Sequence, residues 1–167
     1  MIRTLLISFI FISTNVISSD DNQTIKYIFS TDNTNQLVMD IEAALARAQS
    51  TQGIIPEWAA NEISAKANIK YMPQDEVNKE NELVRHRLVS RLNVWKKSLD
   101  LGAEEYLHFG ATTVDIFDTV LVLQVKQSID ILLESLLDIE SQLLALTKNH
   151  IDTYMVGRTI GQHALPM

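Results

Sequence analysis

Apolar positions recur every three or four residues over most of this chain. From Asn35, Leu37, Ile41, Ala44, Leu45 and Ala48 lie at helical spacing, and Gly53 stands where a C′ glycine releases a helix. Ile54 and Ile55 lead to Pro56, suited to the first turn of a second helix, whose stripe of Ala59, Ile63 and Ala67 fades near Asn68. The polar stretch 71–81, interrupted by Pro73, reads as a loop. From Glu82, the positions Val84, Leu88, Leu92, Trp95 and Leu99 predict a third helix that runs to Gly102 and carries Arg85, His86, Arg87 and Arg91.

After Glu104 and Glu105 comes Tyr106-Leu107-His108-Phe109-Gly110-Ala111-Thr112-Thr113-Val114-Asp115, and an apolar pattern then runs without proline or glycine to about Asn149. Thr112 with Asp115 three residues on resembles a capping box, with Asp in place of Glu or Gln. More than thirty residues make a helix of about 50 Å. Ile116, Val120, Leu123, Ile131, Leu132, Leu136, Leu137, Ile139, Leu143, Leu144 and Leu146 wrap over half of its circumference. A helix apolar on so much of its surface is normally buried among several others, so the pattern predicts a multi-helix bundle, at least partly between chains. A two-stranded coiled coil would show one seam at a period of 3.5, whereas Leu132 with Leu133 and Leu136 with Leu137 double it. Beyond Asn149 the chain turns polar, glycine-punctuated and irregular, and its ending on Pro166 and Met167 just after a loop looks interrupted.

The first residues break the helical theme. Arg3 precedes the apolar run of residues 5–12, which gives way to Ser13, Thr14 and Asn15 and then Ser18, Ser19 and Asp20. A basic start, a short apolar core and a small-residue exit form the layout of a secretory signal peptide over residues 1–19, followed by an Asn22-Gln23-Thr24 glycosylation acceptor. A bilayer span needs about 20 apolar residues, so a membrane helix is the weaker reading. Cleavage predicts a secreted chain or one in the secretory pathway, with Arg3 lost and the net charge moving from -7 to -8.

Composition narrows the class. With 46% apolar and 21% charged residues the chain affords a packed core, and 5 glycines and 3 prolines in 167 residues favour long helices, hence an all-α fold. A net charge of -7 without any basic run gives nucleic acid or an anionic membrane no electrostatic footing. Without cysteine there is no disulfide, thiolate catalysis or thiolate metal site.

Candidate chemistry gathers in three polar clusters at the ends of helices: Arg85 with His86, residues 108–115, and residues 158–163. The middle one sits where the first N–H groups of a helix lack internal partners and the helix dipole adds positive potential. Thr112 and Thr113 add hydroxyls, Gly110 permits close backbone approach, and His108 offers a proton or a hydrogen bond, which together suit a carboxylate. Taken alone, the same residues also fit a plain N-cap beside a packed histidine, and Arg85 and Arg87 a solvated helix face. No HExxH, Walker-type, GxGxxG or nucleophile-elbow motif is present.

The runs EYLHFGATTVDIFDT (105–119), VMDIEAALARAQSTQGIIPEWAANEI (38–63), VRHRLV (84–89) and GRTIGQHALP (157–166) resemble, in order and separation, the N-terminal half of the fumarase/aspartase superfamily. Within it they are most similar to the 3-carboxy-cis,cis-muconate cycloisomerase branch and neighbouring adenylosuccinate lyases. The resemblance implies a helical N-terminal domain, here residues 20–111, and a central long-helix bundle that begins within residues 112–167. It also implies a homotetramer with active sites where three subunits meet. The implied chemistry is elimination or cycloisomerisation on a small dicarboxylate, without a metal or organic cofactor. By matching motifs, Thr112 and Thr113 would bind a substrate carboxylate, His86 and His108 would line the site as catalytic residues, and Arg158, Thr159 and Gln162 would hold substrate from the loop after the long helix.

Two departures qualify that implication. Many lyases of this group carry G-R-T-H where this chain has Ile160, which can neither give nor take a proton, although the cycloisomerase branch is also apolar there. The signature loop G-S-S-x-M-P-x-K-x-N-P, source of the serine base, is not among the 167 residues. Loss of a base and an acid costs about four to eight orders of magnitude at 10²–10⁴ each, so this chain by itself is expected to be nearly inert. The rival expectation is a non-catalytic, secreted oligomer with a binding or structural role.

Overall fold

The computed structural model describes residues 24–100 and 102–166, and the expected signal segment, 1–19, lies outside them. The fold is all-α, as expected. The helices are α1 (Ile25–Ile28), α2 (Thr31–Thr51), α3 (Glu57–Ala65), α4 (Gln74–Val84), α5 (Arg87–Lys96) and α6 (Thr113–Asn149), followed by a two-stranded hairpin, β1 (Val156–Thr159) and β2 (Gln162–Pro166). Among the described residues no helix is long and apolar enough to cross a membrane.

By their contacts the described residues divide into two compact units, the first ending at Ser128 and the second beginning at Ile129. In the first, α2 packs on α3 and α4 on α5. One core joins Val38, Met39, Ala43 and Ala46 of α2 with Ala59, Ala60 and Ile63 of α3, Val77 of α4, Leu88, Leu92 and Trp95 of α5, and Ile116 and Val120 of α6. Each large aliphatic or aromatic side chain buried there contributes about 1.5–3 kcal/mol. Two polar side chains buried at the edge of the core, Asn35 and Gln124, are paired. Asn35, fully buried, donates from Nδ2 to Gln74 Oε1 at 2.7 Å and accepts from Arg91 Nε at 2.7 Å, which ties α2, α4 and α5 together. Gln124 donates to the Ile28 carbonyl at 2.8 Å and to Thr34 Oγ1 at 3.0 Å, tying α6 to the start of the chain's helical region.

The second unit holds the distal part of α6 and the hairpin. Val156 pairs with Pro166, Arg158 with His163 and Thr159 with Gln162, around a turn in which Gly161 takes φ +77°. From Ile129 to the end of α6 no described side chain is buried.

Several expectations need correction. The predicted stripe of α2 is only partly in phase: Leu37 is buried and Ile41 packs against the core, but Ala44 and Ala48 are exposed, and the buried face continues through Val38, Met39, Glu42, Ala43 and Ala46. The stretch expected to be a loop contains α4, which buries Val77 as its one fully covered side chain and so leaves almost no apolar period to read. The single third helix is two helices, broken where Arg85 adopts a left-handed conformation at φ 49° with no glycine or proline to mark it. The irregular tail is the hairpin.

Candidate active site

His86 becomes the N-cap of α5, and its Nδ1 accepts from the Val89 N–H at 3.2 Å. That hydrogen bond requires a bare Nδ1, so a neutral His86 carries its proton on Nε2 and offers it outward from an exposed side chain. Its neighbour Arg87 lies over the ring of Phe117, with 3.7 Å from the guanidinium carbon to the ring centroid, and Arg91 stands 5.8 Å from the same centroid. Phe117 is one helical turn after Thr113 on the same face of α6. The start of α5, with His86, is therefore brought against the first turns of α6, with Thr113. Among the described residues no carboxylate pairs with Arg87 or Arg91. Burial and the nearby Arg87 hold the Arg91 guanidinium below its ordinary value, as expected where positive charge is concentrated without a counter-ion.

At the head of α6, Asp115 Oδ2 accepts from the Thr112 N–H at 2.9 Å, and the Asp115 N–H donates to the Thr112 carbonyl at 3.1 Å. This is the acidic half of the expected capping box. The threonine half is not formed: neither the Thr112 nor the Thr113 hydroxyl bonds to another described residue. The two hydroxyls, one exposed and one half-buried, therefore stay free beside a helix start.

The loop before α6 is held from α2 at two points, two turns apart. His108 has φ 64° and its Nδ1 lies 2.7 Å from Oε1 of Glu42, a wholly buried carboxyl. Gln49 donates from Nε2 to the Phe109 carbonyl at 2.6 Å. Gly110 follows at φ 71°, where a Cβ would lie 3.8 Å from Gln49 Nε2, so the glycine is required by backbone conformation and not by crowding. Burial raises the Glu42 carboxyl above its ordinary range, while His108 and then Lys96 oppose that rise. Glu42 is absent from the sequence-based candidates because acidic residues on helices are usually solvated. The available signal was its phase, with Val38 four residues before and Ala46 four after, both buried.

Of the remaining candidates, Arg158 and Thr159 lie on β1 and Gln162 on β2 of the second unit, where Thr159 Oγ1 donates to the Gln162 carbonyl at 3.3 Å. Ile160 is fully exposed in the turn between the strands. In the first unit, Arg47, Ser50, Thr51, Glu57, Asn61 and Tyr106 are among the residues around an open groove of about 890 Å³, which no sequence-based candidate lines.

Comparison with known proteins places these features in a family. A family model described as Lyase matches residues 17–167. The chain is 38% identical over 139 residues to adenylosuccinate lyase of Methanocaldococcus jannaschii, which covers 83% of this chain and 30% of that protein. Among solved structures it resembles a fumarate lyase from Mesorhizobium sp. BNC1, with a TM-score of 0.79, 34% identity and coverage of 90% of this chain and 36% of the other. It also resembles 3-carboxy-cis,cis-muconate lactonizing enzyme from Pseudomonas putida, with a TM-score of 0.76, 32% identity and coverage of 85% and 33%. The chain thus spans about a third of the length of the relatives it matches. Matched over residues 17–167 and over the fold itself, the chain belongs to the fumarase/aspartase superfamily of lyases and falls within its N-terminal half.

Proposed function

We propose that this chain supplies the carboxylate-binding part of a lyase or cycloisomerase acting on a small dicarboxylate, of the adenylosuccinate lyase or carboxymuconate cycloisomerase type. The observation that carries the reading is the head of α6, where Asp115 takes over one end of the cap and leaves the Thr112 and Thr113 hydroxyls free. In this reading both threonines, with the first N–H groups of α6, bind one substrate carboxylate. His86 and His108 serve as proton-handling groups, and Arg158, Thr159 and Gln162 hold substrate from the hairpin. The family reaction removes a proton next to a carboxylate, passes through an aci-carboxylate, and protonates the leaving group to release fumarate. A serine base from the G-S-S-x-M-P pattern is not among these residues, so they are assigned recognition and positioning, and no metal or organic cofactor is called for. Ile160 turns the reading away from reactions that need an acid at that position and toward the cycloisomerase branch.

The same reading makes residues 20–111 an N-terminal domain and residues 112–167 the opening of a central bundle, assembled as a homotetramer through the apolar face of α6. Export by the apolar start is a separate proposal, carried by the basic Arg3, the short apolar run of residues 5–12 and the small-residue exit at Ser18 and Ser19. N-terminal sequencing of secreted material tests it: a start near Asp20 supports cleavage, and a start at Met1 refutes it.

Fumarate titrated against the folded chain tests the site. The backbone amides of residues 110–115 are expected to shift with millimolar affinity, about -4 kcal/mol, and to stop responding in Thr113→Val. Shifts confined to the histidines, or none up to tens of millimolar, would refute it.

A further inference from the structure

Among the described residues of the first unit, the carboxyl of Glu42 is the one wholly buried acid, and the proposed chemistry leaves it unused. Its side chain is wholly enclosed in the core face of α2. Oε2 has no hydrogen-bond partner among the described residues, and Oε1 has one, His108 Nδ1 at 2.7 Å. An acid placed this way is expensive unless it serves its single partner. The partner is held just as deliberately. His108 occupies the left-handed region at φ 64°, a conformation uncommon outside glycine, and the next carbonyl is clamped by Gln49 from the same helix. The His108 side chain keeps 19% exposure. Its Nε2 bonds to no described residue, yet it is not among the buried polar atoms without a partner. Solvent, or a ligand, therefore reaches Nε2.

We propose that Glu42 is a positioning residue that fixes the tautomer of His108: the proton sits on Nδ1 and is donated to the Glu42 carboxylate, and Nε2 faces outward as a bare acceptor. Free imidazole in water favours the opposite form, with the proton on Nε2, so the buried carboxylate inverts the intrinsic preference. A charge-assisted hydrogen bond of this kind shifts such an equilibrium by about tenfold or more. His108 and His86 then complement each other. His86, with Nδ1 committed to the Val89 N–H, is the outward donor, and His108 is the outward acceptor. A neutral His108 can take a proton from substrate or water on Nε2 and return it, while the adjacent carboxylate stabilises the cation in between. The use made of Nε2 rests on the reading of His108 as a site residue; the tautomer does not.

The test uses the full chain labelled with ¹⁵N-histidine, which has only four histidines to resolve: His86, His108, His150 and His163. Multiple-bond ¹H–¹⁵N correlation in alkaline solution, with His108→Gln for assignment, reads which nitrogen of each neutral ring is bare. Wild type is expected to show His108 with protonated Nδ1 and bare Nε2, and His86 with the reverse. Glu42→Leu is expected to return His108 to the Nε2–H form; if that variant does not fold, Glu42→Met, closer in length, takes its place. An Nε2–H His108 in the wild type would overturn the proposal, because Glu42 would then be the proton donor. So would an Nδ1–H pattern that survives Glu42→Leu or Glu42→Met. Fumarate added to the same sample separates the two readings. A bare Nε2 that ignores fumarate refutes the site reading and leaves the tautomer standing, and a fumarate response at a protonated Nε2 does the opposite.

Discussion

Ile116, Val120 and Gln124 near the start of α6 are buried, whereas Leu132, Leu136, Leu137, Leu143 and Leu144 farther along the same helix are each more than half exposed. Both stretches have the same leucine-, isoleucine- and valine-rich periodicity. What differs is the company. The first turns meet α1 and α2 through Gln124 and α5 through the Arg87–Phe117 stack, while the residues from Ile129 onward lack a covering layer among the described residues. Hydrophobic periodicity says that a face must be covered and says nothing about which chain covers it. The same contrast separates roles: the covered end organises the candidate site, and the bare end is the proposed association surface.

The largest effect that sharpens this contrast comes from equivalent deletions on either side of it. Ile63→Ala, in the closed core, is expected to cost about 2–5 kcal/mol of unfolding free energy. Leu136→Ala should change the unfolding of the first unit by less than about 0.5 kcal/mol in denaturant titration of dilute chain. Equal losses would erase the distinction. Next in size, Leu136→Asp should dissolve the assembly by placing an unpaired charge in its seam, read as a fall in particle mass by size-exclusion chromatography, with the helical content of the first unit kept.

Glu42→Gln probes a cost inside the closed unit. The Glu42 carboxyl lies above its ordinary value of 4.5 in the folded chain, chiefly through burial. Below the unfolded-state value both states are protonated and no penalty exists; as pH rises through the folded-state value, ionisation destabilises the fold. The variant should therefore match the wild type near pH 4 and be the more stable of the two at neutral pH. A wild type that gains on the variant as pH rises would contradict this sign. The smallest effect belongs to Thr113→Val. With no hydrogen bond from its hydroxyl to a described residue, the substitution should leave thermal stability within about 0.5 kcal/mol while the fumarate response is lost.

The parts legible in the sequence were those with local punctuation or long period. The span of α6, Thr113–Asn149, follows from 37 residues without glycine or proline, and Gly53 follows the end of α2 with the positive φ expected of it, whereas α5 stops at Lys96, short of the expected Gly102. α4 was illegible by period because a helix with one buried side chain has none; its signals were Pro73 at the N-cap and Asp75 and Glu76 in the first turn. The break at Arg85 has no local cause, since a left-handed arginine is imposed by the packing of two helices rather than by its own preference. At the site, the threonines and histidines stood out as chemistry-bearing residues beside a helix start. Glu42 did not, because its role depends on a partner 66 residues away.

Particle mass by light scattering on purified wild-type chain at micromolar concentration tests most directly whether the bare face of α6 is an association surface. Several copies in a stable, soluble assembly are expected, and a stable, soluble monomer would contradict the account.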